Sequence, residues 1–432
     1  MAGGLILGVL ACLWMLRSPG AGSSAVLPSG VRIKVEGVTF GTRHVFSTDS
    51  KLKRAVRSVL SARLKNWWPA GYTSDVQTSE TNALVYLSAF DPAKSVYIRP
   101  NWDHFQVLDQ HGCVWPVRAW SGPQGTPAFC VSAIYLPSFP RRSATLKLRV
   151  FVTGGDAVEM VAPNPVKGPF PKWTPEPLPA TRTTNNISFE LRELEAHWAS
   201  DGQNGFNAMY RVLKDGTDVT PQWRAVTEFR DETGNVSERL CPYEPVWKVE
   251  AKFFKTARAT FPPEKVWRIP GIRMPENGRA VIFDQTHQVD NHTVHLAAFL
   301  APGSFKFSNN VVLAMSPWQS GMTTGSSSST RSINNGPSIT TMQVDSKDPA
   351  VLLSMSNLRS PEHLLVLCRD QSGRVGQAEF RSNVGDQYLF AFPNWRNVSS
   401  LDLELIFQEP IPVEFTVAPP KPPQRRTASD QK

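Results

Sequence analysis

The sequence predicts an all-β chain of about three tandem β-sandwich domains, with one amphipathic helix inserted in the first. Three observations predict it. Hydrophobic residues fill 41% of the 432 positions and charged residues 19%, the proportions of a folded globular chain, while 36 Pro and 28 Gly favour short strands and many turns. The length exceeds one ordinary core, because domains run about 100–200 residues. A weak internal repeat then divides it.

Three apolar stretches end in an Asp turn closed by Gly: Phe105 to Gly112 around Asp109, Val226 to Gly234 around Asp231, and Leu365 to Gly373 around Asp370. Each reads as a strand entering a tight turn, since Asp accepts a hydrogen bond from the backbone two residues ahead and Gly supplies positive φ. An alternating segment follows each turn: Phe129, Val131, Ala133 and Tyr135, then Trp247, Val249, Ala251 and Phe253, then Tyr388, Phe390 and Phe392. Period two buries one strand face. Further β-rich stretches close the units at 146–151, 265–269 and 401–407, and opening strands stand at 31–38, 187–194 and 280–283 with 292–299. Three turns in the same order imply a repeated domain. At the level of fold alone the pattern resembles immunoglobulin-like or fibronectin-type sandwiches, and Trp102 and Trp223 are expected as core anchors rather than ligand platforms.

The resulting map places a signal peptide or N-terminal anchor at 1–25, the first sandwich at 26–160, a Pro-rich extended linker at 161–186, the second sandwich at 187–277 and the third at 278–417. The third holds a Ser/Thr/Gly-rich stretch, 321–335, expected as a mobile loop. A polar, Pro-rich tail, 418–432, is expected to be disordered. At the N-terminus, Leu5 to Leu16 has the length of a signal-peptide apolar core, and Ser23-Ser-Ala25 would suit cleavage before Val26. No Lys or Arg precedes that run, so an uncleaved anchor is the alternative, although the run is short for a span of roughly 17–25 residues. A lipoprotein attachment at Cys12 fits poorly.

The inserted helix covers 50–68 and ends at Pro69. Leu52, Val56, Val59, Leu60 and Leu64 share one face, Ser50 can cap it, and Lys51, Lys53, Arg54, Arg57, Arg63 and Lys65 carry six of the formal +9 charges. Such a helix, ending in Trp67 and Trp68, could lie on an anionic membrane surface; an apolar face capping the first sandwich is the plainer expectation. Lys53, Arg57, Trp67 and Trp68, with Trp115 and Trp120, are the candidate contact residues. Hairpin packing is the competing expectation for Trp115 and Trp120.

No catalytic, metal or cofactor signature stands out. Gly-x-Ser-x-Gly, His-Glu-x-x-His, Walker and dinucleotide patterns are missing from the sequence. His287, His292 and His295 with Asp284 and Asp290 have no standard ligand spacing, and the turn at Asp290-Asn291 should put His292 and His295 on opposite strand faces. Glu190, Glu193 and Glu195 read as a solvated strand face. Cys113 and Cys130 are a candidate disulfide if the chain is exported, with buried free thiols as the alternative. Sequons stand at Asn186, Asn235, Asn291 and Asn397. Nucleic acid is not an expected partner. The expectation is an exported, non-enzymatic β-repeat protein, periplasmic, extracellular or anchored to the outer face of a membrane, acting as a structural or interaction module for a protein or glycan partner. A membrane-tethered interaction or sensing protein and a carbohydrate-active or peptide-cleaving accessory enzyme are the alternatives.

Overall fold

The computed structural model describes residues 23–49, 53, 56, 59, 71–109, 111, 113–115, 117, 119–121, 124–126, 129–154, 156–198, 205–236, 244–289, 292–308, 311–317, 325–331, 339–356, 360–384, 386–395 and 398–421. These form antiparallel sheets, here A to G, packed in sandwich-like layers.

Sheets A and B enclose the first core. Sheet A runs Ser24–Val26, Arg32–Ser47, Thr73–Asp91, Phe129–Leu136, Ala119–Trp120; sheet B runs Asp156–Pro163, Thr145–Val152, Trp102–Leu108, Val114–Trp115. Side-chain alternation sets the layers: Leu146, Leu148 and Val150 are buried while Thr145 and Lys147 are exposed. They meet Ile33, Val35, Val85, Leu87 and Ile134 from sheet A. Trp102 is buried in this core and its indole donates to Ser132 Oγ at 2.9 Å. The edge strand Ser24–Val26 is tied in one residue earlier, where the Ser23 amide donates to Val161 O at 3.0 Å.

The second core lies between sheet C (Ala180–Thr184, Ile187–His197, Gly205–Lys214, Thr217–Asp218) and sheet D (Trp223–Asp231, Trp247–Lys255, Ile411–Val417). Trp247 is fully buried at its centre, with Phe206 edge-on at 4.8 Å. Trp223 is half-buried at the periphery, edge-on to Phe189 at 5.7 Å. The third unit has three layers. Sheet F (Ala280–Val289, His292–Leu300, Ala350–Ser356, Gln387–Ala391, Glu379–Val384) sends Val351, Leu353 and Phe390 toward sheet E (Val266–Arg273, Ser400–Phe407, Leu364–Asp370, Val375–Gln377). Its opposite face sends Ala350, Leu352 and Leu389 toward Phe305, Phe307 and Val344 of sheet G (Val311–Pro317, Gly303–Ser308, Ile339–Ser346, Gly325–Arg331).

The three Asp turns are built alike. In each, Asp Oδ1 accepts from the amides two and four residues ahead: His111 and Cys113 for Asp109, Thr233 and Asn235 for Asp231, Ser372 and Arg374 for Asp370, all within 2.8–3.0 Å. Gly234 and Gly373 take φ of 86° and 83°. The turn strands also hold the same place in sheets B, D and E, each beside a long strand that is flanked in turn by an outer one. That outer strand comes from three different chain positions: 156–163 just after its neighbour, 266–273 far before it, and 411–417 far after it.

Strand pairing therefore departs from the linear division at 277/278. Val266–Arg273 pairs with Ser400–Phe407, and Ile411–Val417 returns to pair with Trp247–Lys255. Local alternation of Val413, Phe415 and Val417 marks a strand but not its sheet. The alternating segment of the second unit likewise sits in the sheet of its Asp turn, whereas Phe129–Leu136 and Gln387–Ala391 lie in the opposite sheet. The segment 161–186 is not all linker: it ends in sheet C, and Asn185 and Asn186, at φ of 51° and 61°, make the two-residue hairpin turn. Within 321–335, Gly325–Arg331 is an edge strand paired with Ile339–Ser346, because the backbone ladder forms whatever the side chains are. Of the expected helix, Lys53, Val56 and Val59 are described and helical; its other residues lie outside the described residues, as does 422–432. Among the described residues no helix is long and apolar enough to cross a membrane.

Candidate functional site

Two places concentrate chemistry. The first is the joint where the second Asp turn meets the loop after Phe129–Leu136. Asn235 is fully buried there and clamps the Phe139 peptide unit: its Oδ1 accepts from the Phe139 amide at 3.2 Å and its Nδ2 donates to Phe139 O at 3.0 Å. Ser138 Oγ donates to Val236 O at 3.0 Å, and Arg141 donates to Thr233 O at 3.0 Å while stacking on Phe40 and Phe139 at 5.2 and 5.1 Å. The positive φ of Gly234 favours glycine, and a Cβ there would stand 3.1 Å from that guanidinium, a tight approach that the Arg141 side chain would have to yield to. Arg142 joins two carboxylates, Glu232 at 2.6 Å and Glu244 at 2.7 Å, and the second Glu232 oxygen accepts from the Trp173 amide at 2.7 Å. Burial pushes the Glu244 carboxyl up, against the opposing pull of Arg142. A joint of this kind fixes orientation, since breaking it would strand buried polar groups at about 1–3 kcal/mol each.

The segment 164–178 is fastened to the same joint. Asn164 donates to Pro140 O, Arg141 O and Ser143 O, and Glu176 pairs with Arg182 at 2.6 Å and with the Thr416 amide at 2.9 Å. A second crossing, between sheets D and E, uses Gln408, which accepts from the Lys255 amide at 2.8 Å and donates to Lys255 O at 3.1 Å.

The second place is the outer face of sheet A. The strands Arg32–Ser47 and Thr73–Asp91 pair, with one bulge at Glu36, up to Gly41 opposite Asn82, then skip to Arg43 opposite Gln77, so residues 78–81 loop out. Beyond that break the ribbon folds back over the sheet, with Phe46 stacked on Tyr86 at 4.2 Å and 3.1 Å from where a Cβ on Gly37 would stand. Rings then follow in a row: Phe46 to Tyr72 at 6.3 Å, Tyr72 to Phe129 at 5.7 Å, Phe129 to Tyr97 at 5.1 Å, Tyr97 to Phe90 at 5.3 Å. At the Phe90 end the face opens into a concavity of about 230 Å³ lined by Arg32, Lys34, Glu36, Ser88, Phe90 and Tyr97. Glu36 is held between Lys34 Nζ at 2.7 Å and Ser88 Oγ at 2.6 Å.

The residues expected as contacts fall differently. Trp115 is not a surface residue: it is buried in the first core, where the short return strand after Asp109 turns it inward. Lys53 is paired with Asp49 at 2.7 Å, an i,i+4 ion pair at the start of the helical stretch. Arg57, Trp67, Trp68 and the side chain of Trp120 lie outside the described residues. Of the two alternatives for Cys113 and Cys130, no disulfide joins them; both are buried, and Cys130 Sγ is directed at Ile98 O, 3.2 Å away. Burial raises the Cys130 thiol and pushes Cys368 up to about 12, which suits packing and not nucleophilic chemistry.

His295 meets Asp284 at 3.2 Å and His287 stacks on Trp267 at 4.9 Å, and among the described residues no group of three His, Cys, Asp or Glu is placed to hold a metal ion. Asp290 and Asn291 lie outside the described residues. Sequon Asn186 is exposed on its turn, whereas Asn235 has both amide atoms engaged. Asp231 is legible in the sequence as a turn residue and Asn235 only as a sequon, while Arg141 and Arg142 carry no local signal, because the partners at this joint lie about ninety residues away along the chain. The alternation of Phe129 to Tyr135 signalled a buried face, yet nothing local identified the rings across it.

No protein-family model, no curated protein and no solved structure matches the chain.

Proposed function

We propose that this chain is an exported, non-enzymatic β-repeat protein whose three immunoglobulin- or fibronectin-like units form a rigid structural and interaction module in an envelope or extracellular space. The observation that carries the reading is the Asn235–Phe139 and Arg142–Glu232–Glu244 joint, which spends buried polar groups on orientation. A module that positions binding faces needs such a joint, whereas independent units on a string do not. The apolar run Leu5 to Leu16 supports export. The pairing of Ser24–Val26 in sheet A, with the Ser23 amide bonded to Val161 O, supports processing upstream of Ser23 in this reading, since a cut before Val26 would remove Ser24 and Ala25 of the edge strand. Partners in this reading are a protein or a glycan, met on the open face of sheet A.

Expression with the native N-terminus, followed by fractionation, N-terminal sequencing and small-angle scattering, tests the proposal. A soluble product beginning between Leu16 and Ser23, with one well-defined elongated envelope, is the expected result. An intact chain released from membranes only by detergent would favour the tethered alternative, and a broad ensemble of orientations would remove the rigid-module reading.

A further inference from the structure

We propose that the concavity at the Phe90 end of sheet A binds a single carboxylate-bearing pyranose ring, one unit of an acidic saccharide. Its volume of about 230 Å³ is smaller than the roughly 300–1,000 Å³ of sites that enclose a drug-sized ligand, so it suits one ring of a longer chain. Its walls and floor divide into the two kinds of surface that a sugar ring presents. Phe90 and Tyr97, 5.3 Å apart and inclined at 65°, offer apolar ring faces to the C–H side of a pyranose. Beside them Glu36 is an acceptor for hydroxyl donors, and it is pre-oriented: its side chain is only 11% exposed and its carboxylate is fixed by Lys34 and by Ser88, itself buried. No side-chain rearrangement is needed to present it, which lowers the cost of binding.

Charge selects the acidic member of the sugar class. Lys34 and Glu36 neutralise one another, while Arg32, on the same face and exposed, has no carboxylate within ion-pair distance among the described residues. Its forked donors match a carboxylate in bidentate fashion. The site is a binding proposal independent of export: it concerns the purified chain, and its failure would leave the module reading standing.

The test uses the full chain with two probes, a galacturonic-acid tetramer and the uncharged galactose tetramer, in calorimetry and saturation-transfer NMR. The acidic tetramer is expected to bind at least tenfold more tightly than the neutral one. Arg32→Gln, an exposed change that should leave the melting temperature unaltered, is expected to bring acidic binding down to the neutral level. Tyr97→Ala is expected to weaken both probes tenfold or more; if that variant does not fold, Phe90→Leu gives the same readout. Equal affinity for the two tetramers, acidic binding unchanged by Arg32→Gln, equal binding of a poly-glutamate of matching charge, or no binding at all would each overturn the proposal.

Discussion

His44 shows how much a single buried side chain can decide. It lies fully buried at the break in the sheet A ribbon, its Nδ1 2.8 Å from Thr39 Oγ1, with Asn82 and the phenol of Tyr86 beside it and the Arg43–Asp75 pair outside. Burial holds its imidazole below the ordinary value, so the folded chain keeps it neutral while the unfolded chain protonates near pH 6.5. Protons therefore favour the unfolded state: the contribution is full above about pH 6.5 and is lost as the pH falls through the lowered value. Thermal melts at pH 7.5 and 5.5 should show a smaller drop for His44→Gln than for the native chain, and equal drops would contradict this assignment. Asn235 makes the second case. Asn235→Ala strands the Phe139 amide and carbonyl and should cost about 2–4 kcal/mol in urea unfolding, with the first unit now melting separately. In a eukaryotic secretory host the same residue should carry no glycan while Asn186, exposed on its turn, remains available, which peptide mapping would read directly.

Among the elements, the Asp turns were legible because the chemistry is local: one carboxylate organises the next four residues, and Asp109, Asp231 and Asp370 all do so. Strands were legible where apolar residues alternate, as in Thr145–Val152. What alternation cannot convey is which sheet a strand joins, so Ile411–Val417 and Val266–Arg273 were assigned by chain order and not by partner. Composition misled in two segments. Seven prolines suggested an extended linker with nothing to hold it, yet 164–178 is tied down through Asn164, Glu176 and Glu232, and Gly325–Arg331 is paired despite its serines. Trypsin at Lys167 and Lys172 offers the check, because cleavage needs a stretch of backbone to leave its partners. Both sites should resist under conditions that cut the C-terminal tail at Arg425 or Arg426, and early cutting at Lys172 would show that the ties are weak.

For the whole molecule, the return of Ile411–Val417 makes the third unit an insertion within the second. Residues 256–408 leave sheet D at Lys255 and come back beside it, for Gln408 bonds both the amide and the carbonyl of Lys255, and Phe253 faces Ile411 in the next register position. The two cut ends are thus neighbours, and a two-residue turn can join them. Replacing 256–408 by Asn-Gly should place Lys255 opposite Glu409 and let Trp247–Lys255 and Ile411–Val417 close as an ordinary hairpin, since that dipeptide favours the turn whose twist matches paired strands. The shortened chain should melt cooperatively with Trp247 buried, as its core of Phe229, Trp247, Val249, Phe253, Val413 and Phe415 is complete. A simple truncation after residue 277, which respects chain order, keeps Trp247 but removes Val413, Phe415 and Val417 from against it; loss of packing on that scale costs several kcal/mol, at about 2–5 for each large aliphatic or aromatic side chain. That fragment should expose its tryptophan and aggregate. Tryptophan emission and urea titration of the two proteins separate the cases: a stable truncation, or an excised chain that fails to fold, would show that the returning strand is dispensable or that the inserted unit supports the second one through contacts beyond sheet D.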